Sequence, residues 1–288
     1  MLSCRVDGVK NSSNDRALTS SPSERRPRDK RAPTVQSVRH AVELLRCVSQ
    51  AQPEIGISEL ARRVRMHKSS VSRLISTLAA AHLVERNSQT ERVRLGFGLV
   101  ALASPLLSRS GLAQAAGPKL TALAERSGET VNLSVWDGRQ AISVYQALGT
   151  NAITHYAAPG QTNPAHCTAS GKLLLAFASQ SEIDEILSAP LQRFTDNTRT
   201  SPAVLRRELL QIRSEARAVN RGEFASDVGA VAALVRDVEG QAMAALTITL
   251  PNYRFAAERQ TELLTMVEAT AREISDQLGY RPSQSMAP

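Results

Sequence analysis

The stretch Lys68-Ser69-Ser70-Val71-Ser72-Arg73-Leu74-Ile75-Ser76-Thr77-Leu78 carries two helical faces at once. Val71, Leu74, Ile75 and Leu78 stand at i, i+3, i+4 and i+7, the spacing of a buried stripe. Ser69, Ser72, Arg73 and Ser76 stand at the same spacing on the other side, with Lys68 and Ser70 beside them at the N-terminal end. None of these six is acidic, whereas a merely solvated face more often mixes Glu with Lys. Small hydroxyls with an Arg and a Lys make a face thin enough for a major groove, able to donate to phosphates and base edges. The N-terminal end of such a helix is the part that reads bases.

Upstream, Val35, Val38, Val42 and Leu45 follow one face of a first helix, which should end before Pro53-Glu54-Ile55-Gly56. Ser58 is the expected N-cap of a second helix, with Glu59 in its first turn and Leu60, Ala61 and Val64 as its buried stripe. A short break at Met66-His67 precedes the quoted helix, which should run to about His82. Downstream, residues 83–86 and 92–95 flank a polar turn, and Val93 and Leu95 alternate with Arg92 and Arg94 as in a half-buried hairpin. Three helices and a small basic hairpin predict a winged helix-turn-helix over residues 34–95. Arg86, Arg92 and Arg94 would lie along a nucleic-acid backbone or in a minor groove. The blander reading is a small helical protein-interaction domain.

Charge agrees with the sharper reading. Residues 1–95 hold eighteen Lys and Arg against nine Asp and Glu, and residues 96–288 hold seventeen against eighteen. A basic module beside a near-neutral one implies that the first touches a polyanion and the second does something else. The 288 residues suffice for two domains on the usual ~150-residue expectation. Only 3% are aromatic, so the cores must be built from Leu, Val, Ile and Ala. The longest apolar runs, such as 231–235, fall far short of the ~18–20 residues of a membrane span, and no apolar leader opens the chain. Cys4, Cys47 and Cys167 are odd in number and widely spaced, as reduced thiols of a cytoplasmic protein would be. Residues 1–33, rich in Ser, Asn, Pro and Arg, read as a disordered basic tail, either adding non-specific DNA affinity or without a role. Residues 281–288 read as a second tail.

Residues 96–127 read as linker and dimerisation helices, interrupted at Pro105 and punctuated by Gly111 and Gly117-Pro118. Leu99, Leu102, Leu106 and Leu107 suit packing on a partner. After Gly128 strands are expected at 130–136 and 141–147 around Asp137-Gly138, and near 152–156. Helices follow at about 168–178, 181–188 and 202–218, then strands at 230–235 and 241–250. A closing helix turns Leu263, Leu264, Val267, Ala271, Ile274 and Leu278 inward. The fold class is therefore α+β, an antiparallel sheet with helices segregated around it over residues 128–280.

Several pairings invite catalytic readings. Cys167 follows His166, but neighbouring residues seldom face each other as nucleophile and base, and no orienting Asn or Asp is indicated. His155, His166 and Cys167 lack dense metal-ligand spacing, so no metal or cofactor is expected. Gly171-Lys172 is no phosphate-binding loop, since His166 stands where the first Gly is needed and Leu173 where the Ser/Thr is needed. Trp136 and Tyr145 either stack on an aromatic ligand or fill a core poor in aromatics.

With its second domain, the winged helix-turn-helix resembles the IclR family of bacterial transcription regulators over about residues 34–280. The resemblance rests on Ile57-Ser58-Glu59-Leu60-Ala61-Arg62-Arg63 and the quoted Lys68–Leu78 stretch. It rests also on His166-Cys167-Thr168-Ala169-Ser170-Gly171-Lys172, on Arg193-Phe194-Thr195-Asp196-Asn197-Thr198, and on Val231-Ala232-Ala233-Leu234-Val235-Arg236-Asp237-Val238-Glu239-Gly240. It implies a GAF-like effector domain binding a small organic or aromatic acid, and a homodimer or dimer of dimers on a near-palindromic operator in double-stranded DNA. Ala169, Ser170 and Gly171 match the helix start whose amides hold a carboxylate, a role that free N–H groups and the helix dipole favour. Thr247 and Thr249 match polar positions on the last pocket strand, and Val228 and Ala230 match lining positions. Asn220-Arg221-Gly222-Glu223 departs from the family's acidic run, leaving Asn220 as the expected contact, while Arg221 points either to the ligand or to solvent. Leu234 replaces a common Pro, and Asp227-Val228 a common Gly-Val.

The expectation is thus a non-enzymatic, ligand-responsive regulator of nearby catabolic genes. Lys68, Ser69, Ser70, Ser72, Arg73 and Ser76 would meet the operator. A small-molecule enzyme that uses the first domain only to dimerise is the alternative, as is a DNA-packaging protein.

Overall fold

The computed structural model describes residues 35–51, 53–109, 111–151 and 158–281. The tail expected over 1–33, the strand expected near 152–156, His155 and the tail beyond 281 lie outside them. The chain divides into two compact units, Met1–Leu99 and Val100–Pro288.

The first unit contains α1 (Gln36–Ser49), α2 (Ile57–Arg63), α3 (Lys68–Ala80), β1 (Val84–Arg86) and β2 (Val93–Leu95). The two strands pair antiparallel, and Ile55 exchanges backbone hydrogen bonds of 2.9 and 2.8 Å with Val93, adding a third short segment to the wing. One core joins Leu44 and Val48 of α1, Leu60 and Ala61 of α2, Val71, Ile75 and Leu78 of α3, and Ile55, Val84 and Val93 of the wing. Three local expectations change. On α1, Val35, Val38 and Val42 are exposed, and Leu44 and Val48 are buried with Ala41 and Leu45 packed beside them. That second set also obeys i, i+3, i+4, i+7, so α1 carries two apolar stripes and the three-dimensional core takes the one nearer its C-terminus. Helix α2 starts at Ile57 with Gly56 as N-cap and no side-chain cap, so Ser58 lies inside it. Leu95 is exposed where alternation expected it buried, because the wing's inner face ends at Val93.

The second unit contains α4 (Gly98–Arg109), which begins just before the division, and α5 (Leu112–Ser127). There follow β3 (Thr130–Trp136), β4 (Gln140–Ala147), β5 (Thr162–Pro164), α6 (Ala169–Phe177), α7 (Gln180–Ser188) and α8 (Pro202–Glu215). The chain closes with β6 (Arg217–Arg221), β7 (Val228–Arg236), β8 (Ala242–Pro251) and α9 (Ala257–Gln277). The six strands lie in the order β5-β4-β3-β8-β7-β6, with every neighbouring pair antiparallel. Side chains alternate across a strand, so each face has its own core. Val131, Leu133, Val231, Ala233, Leu246 and Ile248 pack with α5 and α9. Ala230, Ala232, Leu234 and Ala245 pack on the opposite side with Leu173, Leu174, Ile183, Leu205 and Leu209 of α6, α7 and α8.

Here too the local reading is adjusted. Pro105 and Pro118 lie inside α4 and α5 and interrupt neither helix. A proline removes one N–H and crowds the preceding turn, and the remaining bonds of each helix hold it together. Helix α8 ends at Glu215, short of Ala218, because Ala216 turns left-handed at φ 53° and the chain enters the edge strand β6.

Candidate functional site

The first unit presents α3. Lys68, Ser69, Arg73 and Ser76 are exposed, Ser70 and Ser72 half-buried, while Val71, Ile75 and Leu78 anchor the opposite side. Among the described residues, no hydrogen bond or ion pair holds the Lys68 ammonium or the Arg73 and Arg92 guanidinium groups. Three of the expected contacts are engaged within the chain. Ser76 Oγ donates to Ser72 O at 3.0 Å, and Arg86 Nη2 donates to Ser72 O and Ser76 Oγ, both at 3.3 Å. Arg86 therefore ties the wing across the C-terminal half of the α3 face. Arg94 pairs with Glu85 at 2.9 Å. The wing turn is pinned by a residue the sequence reading passed over: Glu54 accepts from Asn87 Nδ2 at 3.1 Å and Thr90 Oγ1 at 3.1 Å. The Asn87 carboxamide oxygen meanwhile accepts from the Gln89 and Thr90 amides, an Asx turn in the hairpin connection that leads to Arg92.

The second unit holds a cavity of about 180 Å³ on the sheet face that carries α6. Ala169 and Ser170 open α6, Asn220 comes from β6, Val228 and Ala230 from β7, and Thr247 and Thr249 from β8, and all seven line it. Gly171 does not. Its N–H is taken at 3.0 Å by Thr168 Oγ1, the N-cap of α6, and a Cβ at this position would run into Pro164 O. The N-cap bond leaves the Ala169 and Ser170 amides in the first turn, where no carbonyl one turn back within the helix can accept from them.

Half the wall is formed by residues not expected from the sequence. Asn132 and Ser134 of β3 line the cavity, as do Gln161, Asn163, Thr168, Phe224 and Ala225. The signal was the polar alternation Asn132, Ser134 against Val131, Leu133. Its meaning depends on the pairing that sets Asn132 opposite Thr247 and Ser134 opposite Ala245. Ser134 Oγ and Thr247 Oγ1 are buried, and neither has a hydrogen-bond partner among the described residues. A third such hydroxyl, Thr130 Oγ1, lies on the same strand and does not line the cavity.

Beside this cavity lies an ion cluster. Lys172 is fully buried, and its Nζ donates to Glu223 at 2.6 Å, Glu208 at 2.7 Å and Val219 O at 3.0 Å, while Arg199 pairs with Glu208 at 2.6 Å. Burial pushes the Glu208 carboxyl up, but the charge and hydrogen bond of Lys172, with those of Arg199, outweigh it and hold Glu208 below the usual carboxylate range. Asn220 Oδ1 accepts the Glu223 amide at 2.9 Å, so the cluster braces the loop that carries Phe224 and Ala225 over the cavity.

The catalytic readings find no geometry. Burial first, and then Glu223, push the Cys167 thiol up to about 12 against the opposing effect of Lys172, so it stays protonated and inert. His166 Nε2 is engaged with Gln192 O at 2.9 Å. Among the described residues no group of three His, Cys, Asp or Glu is placed to hold a metal. Trp136 Nε1 donates to Glu182 at 2.9 Å, and neither Trp136 nor Tyr145 lines the cavity. Arg221 donates to Phe255 O at 2.6 Å and Gln260 Oε1 at 2.9 Å, away from the cavity. A larger, more open hollow of about 530 Å³ lies between α8 and β6. Its charged walls largely satisfy one another, Arg199 with Glu208 and Arg217 with Glu215. The smaller cavity, with its unmatched buried hydroxyls, is the candidate ligand site.

Both units have counterparts in known proteins. Residues 37–88 match the IclR helix-turn-helix domain, and residues 105–276 match the C-terminal domain described as bacterial transcriptional regulator IclR. The chain is 34% identical to the HTH-type transcriptional regulator BhcR of Paracoccus denitrificans, over 76% of its own length and 79% of that protein's. It is 31% identical to the regulator KdgR of Escherichia coli, over 88% and 96%. Among solved structures, the Thermotoga maritima IclR superposes with a TM-score of 0.65 at 29% identity, covering 85% of this chain and 99% of that one. An IclR homologue from Microbacterium hydrocarbonoxydans, complexed with 4-hydroxybenzoate, superposes with a TM-score of 0.73 at 25% identity, covering 84% and 98%. A helix-turn-helix with a free cationic face, a curled antiparallel sheet enclosing a small polar cavity, and relatives that are regulators rather than enzymes lead to one conclusion: this chain belongs to the IclR family of transcriptional regulators, pairing a DNA-binding domain with an effector-binding domain.

Proposed function

We propose that the protein is a homodimer, or dimer of dimers, that binds a near-palindromic operator in the cytoplasm and releases or grips it according to a small organic acid. The observation that carries the DNA half is the α3 face, where Lys68, Ser69, Ser70, Ser72 and Arg73 are gathered with no acidic residue among them and, among the described residues, no partner on either cation. Arg73 and the serines would meet base edges, Lys68 and Arg92 phosphates. Arg86 and Ser76 hold the wing to α3, and Arg94 would have to leave Glu85 to reach the backbone. For the acid, the support is the pair of first-turn amides of α6 at the cavity wall, a natural seat for a carboxylate.

Two sites influence each other only if the ligand binds the DNA-competent and incompetent states unequally. Helices α4 and α5, which lead from one unit into the other, are the proposed coupling element. Selection of genomic fragments by the purified protein at physiological salt tests the reading. One shared near-palindromic motif is expected, and Arg73→Ala should weaken binding to it by about 1–3 kcal/mol if the contact is bidentate. Binding without a motif that collapses as salt rises would reduce the interface to phosphate contacts and sink the regulator reading.

A further inference from the structure

Resting on that effector site, we infer that its ligand is a short aliphatic acid with one carboxylate and several hydroxyls, selected over aromatic acids by Asn132, Ser134 and Thr247. Buried hydroxyls are nearly always hydrogen-bonded in folded proteins, so two unmatched ones on the wall of one cavity point to partners supplied from outside the chain. The polar groups gather on one face of these strands, since the reverse face of the same pair is Val131, Leu133, Leu246 and Ile248, all buried and apolar. Asn132 sits directly across from Thr247, which puts an amide and a hydroxyl side by side on the cavity floor.

Charge sets the other end of the ligand. Among the described residues no Lys or Arg lines the cavity, so the Ala169 and Ser170 amides and the α6 dipole are what balances an anion there. That suits a single carboxylate and disfavours a diacid. Size and shape narrow it further. About 180 Å³ is well below the roughly 300–1,000 Å³ of pockets for drug-sized ligands. Phe224 is the one aromatic side chain on the wall among the described residues, and its ring is already packed edge-on against Phe194 at 4.9 Å. Between the polar groups the wall is the methyl carbon of Ala169, Val228 and Ala230, which fits an aliphatic skeleton rather than a flat ring.

Calorimetric titration of the full chain with four probes tests this: erythronate, butyrate, threitol and 4-hydroxybenzoate. Butyrate keeps the chain length and carboxylate without the hydroxyls, and threitol keeps the hydroxyls without the carboxylate. Erythronate should bind about tenfold or more tighter than each of the others, since a site built for hydroxyls rejects analogues that lack them. Ser134→Ala and Thr247→Val should each weaken erythronate about fivefold, the worth of one neutral hydrogen bond, and leave butyrate unchanged. Tighter binding of butyrate or 4-hydroxybenzoate, or equal losses for both acids in the two variants, overturns the assignment. If 4-hydroxybenzoate binds and shifts operator affinity, the effector site stands and only the ligand class falls. If no acid binds, the effector site falls with it.

Discussion

Lys172 stays buried because three acceptors surround its ammonium: Glu208, Glu223 and the Val219 carbonyl. Removing the ammonium leaves Glu223 buried without its cation and Glu208 with Arg199 alone, and breaking a buried pair costs about 3–5 kcal/mol. Lys172→Met should therefore unfold the second unit at lower denaturant, and the effect has a pH signature. The folded-state value of Glu208 lies below its ordinary 4.5, so its contribution is complete above that pH and is lost as pH falls through the depressed value. In the Met variant only Arg199 still opposes the burial of Glu208, so its carboxyl is held down less strongly and protonation costs less. The stability gap between wild type and variant should be widest near neutrality and shrink below about pH 4.5. A gap independent of pH would show that Lys172 acts by packing alone. In the sequence Lys172 is a failed phosphate-loop residue and the last residue of a family motif. Its carboxylate partners lie 36 and 51 residues away, and no local pattern links them.

Helix α6 shows how an element is built around its first turn. Thr168 Oγ1 donates to Pro164 O at 2.8 Å and accepts from the Gly171 amide at 3.0 Å, fixing the chain where it enters the helix. Gly171 allows this close approach, since a Cβ there meets Pro164 O, Thr168 Oγ1 and Ala165 Cα. Gly171→Ala should cost about 1–3 kcal/mol by overpacking and should weaken acid binding by displacing the Ala169 and Ser170 amides, read by thermal unfolding and titration of one probe. Unchanged stability would mean that the segment yields without strain. The Ala169-Ser170-Gly171 segment was legible in the sequence as a helix start. Which of its amides stay free was not, because that depends on the Thr168 side chain and the carbonyl of Pro164. Edge strand β6 was hidden for a similar reason. Its residues continue the helical pattern of α8, and the left-handed turn at Ala216 that ends the helix carries no Gly or Asn to mark it.

Among the described residues, exposed large apolar side chains fall in runs of three or more at two places along the sequence. Val35, Val38 and Val42 are exposed on α1, and Phe97, Val100 and Leu102 are 80%, 59% and 67% exposed at the start of α4. Exposed apolar groups in runs, rather than singly, mark interaction surfaces, which supports the proposed dimer. Sedimentation velocity should find a dimer for the wild type, and Leu102→Asp should shift it toward monomer and lower operator affinity about tenfold or more, since each half-site would then be bound alone. A dimeric Leu102→Asp protein with full operator affinity would remove α4 from the interface. The same residues explain a misreading. The apolar period of α1 does not say whether a stripe meets its own core or a second chain, and here Leu44 and Val48 take the core.

Where information is local and periodic, the amino-acid order was sufficient. It specified the two faces of α3, the wing hairpin, the division of charge, the alternation of β3 and β8 and the start of α6, because helical and strand periods place side chains without reference to distant residues. Where it depends on which strands pair and which side chains cross the core, folding alone supplied the answer. The β3–β8 register brings Asn132 and Ser134 to the cavity beside Thr247. The burial of Lys172 between Glu208 and Glu223, and the turning of Arg86 onto α3, likewise join residues far apart in the chain. Such contacts are fixed by the packing of the whole domain, in which no single segment holds both partners.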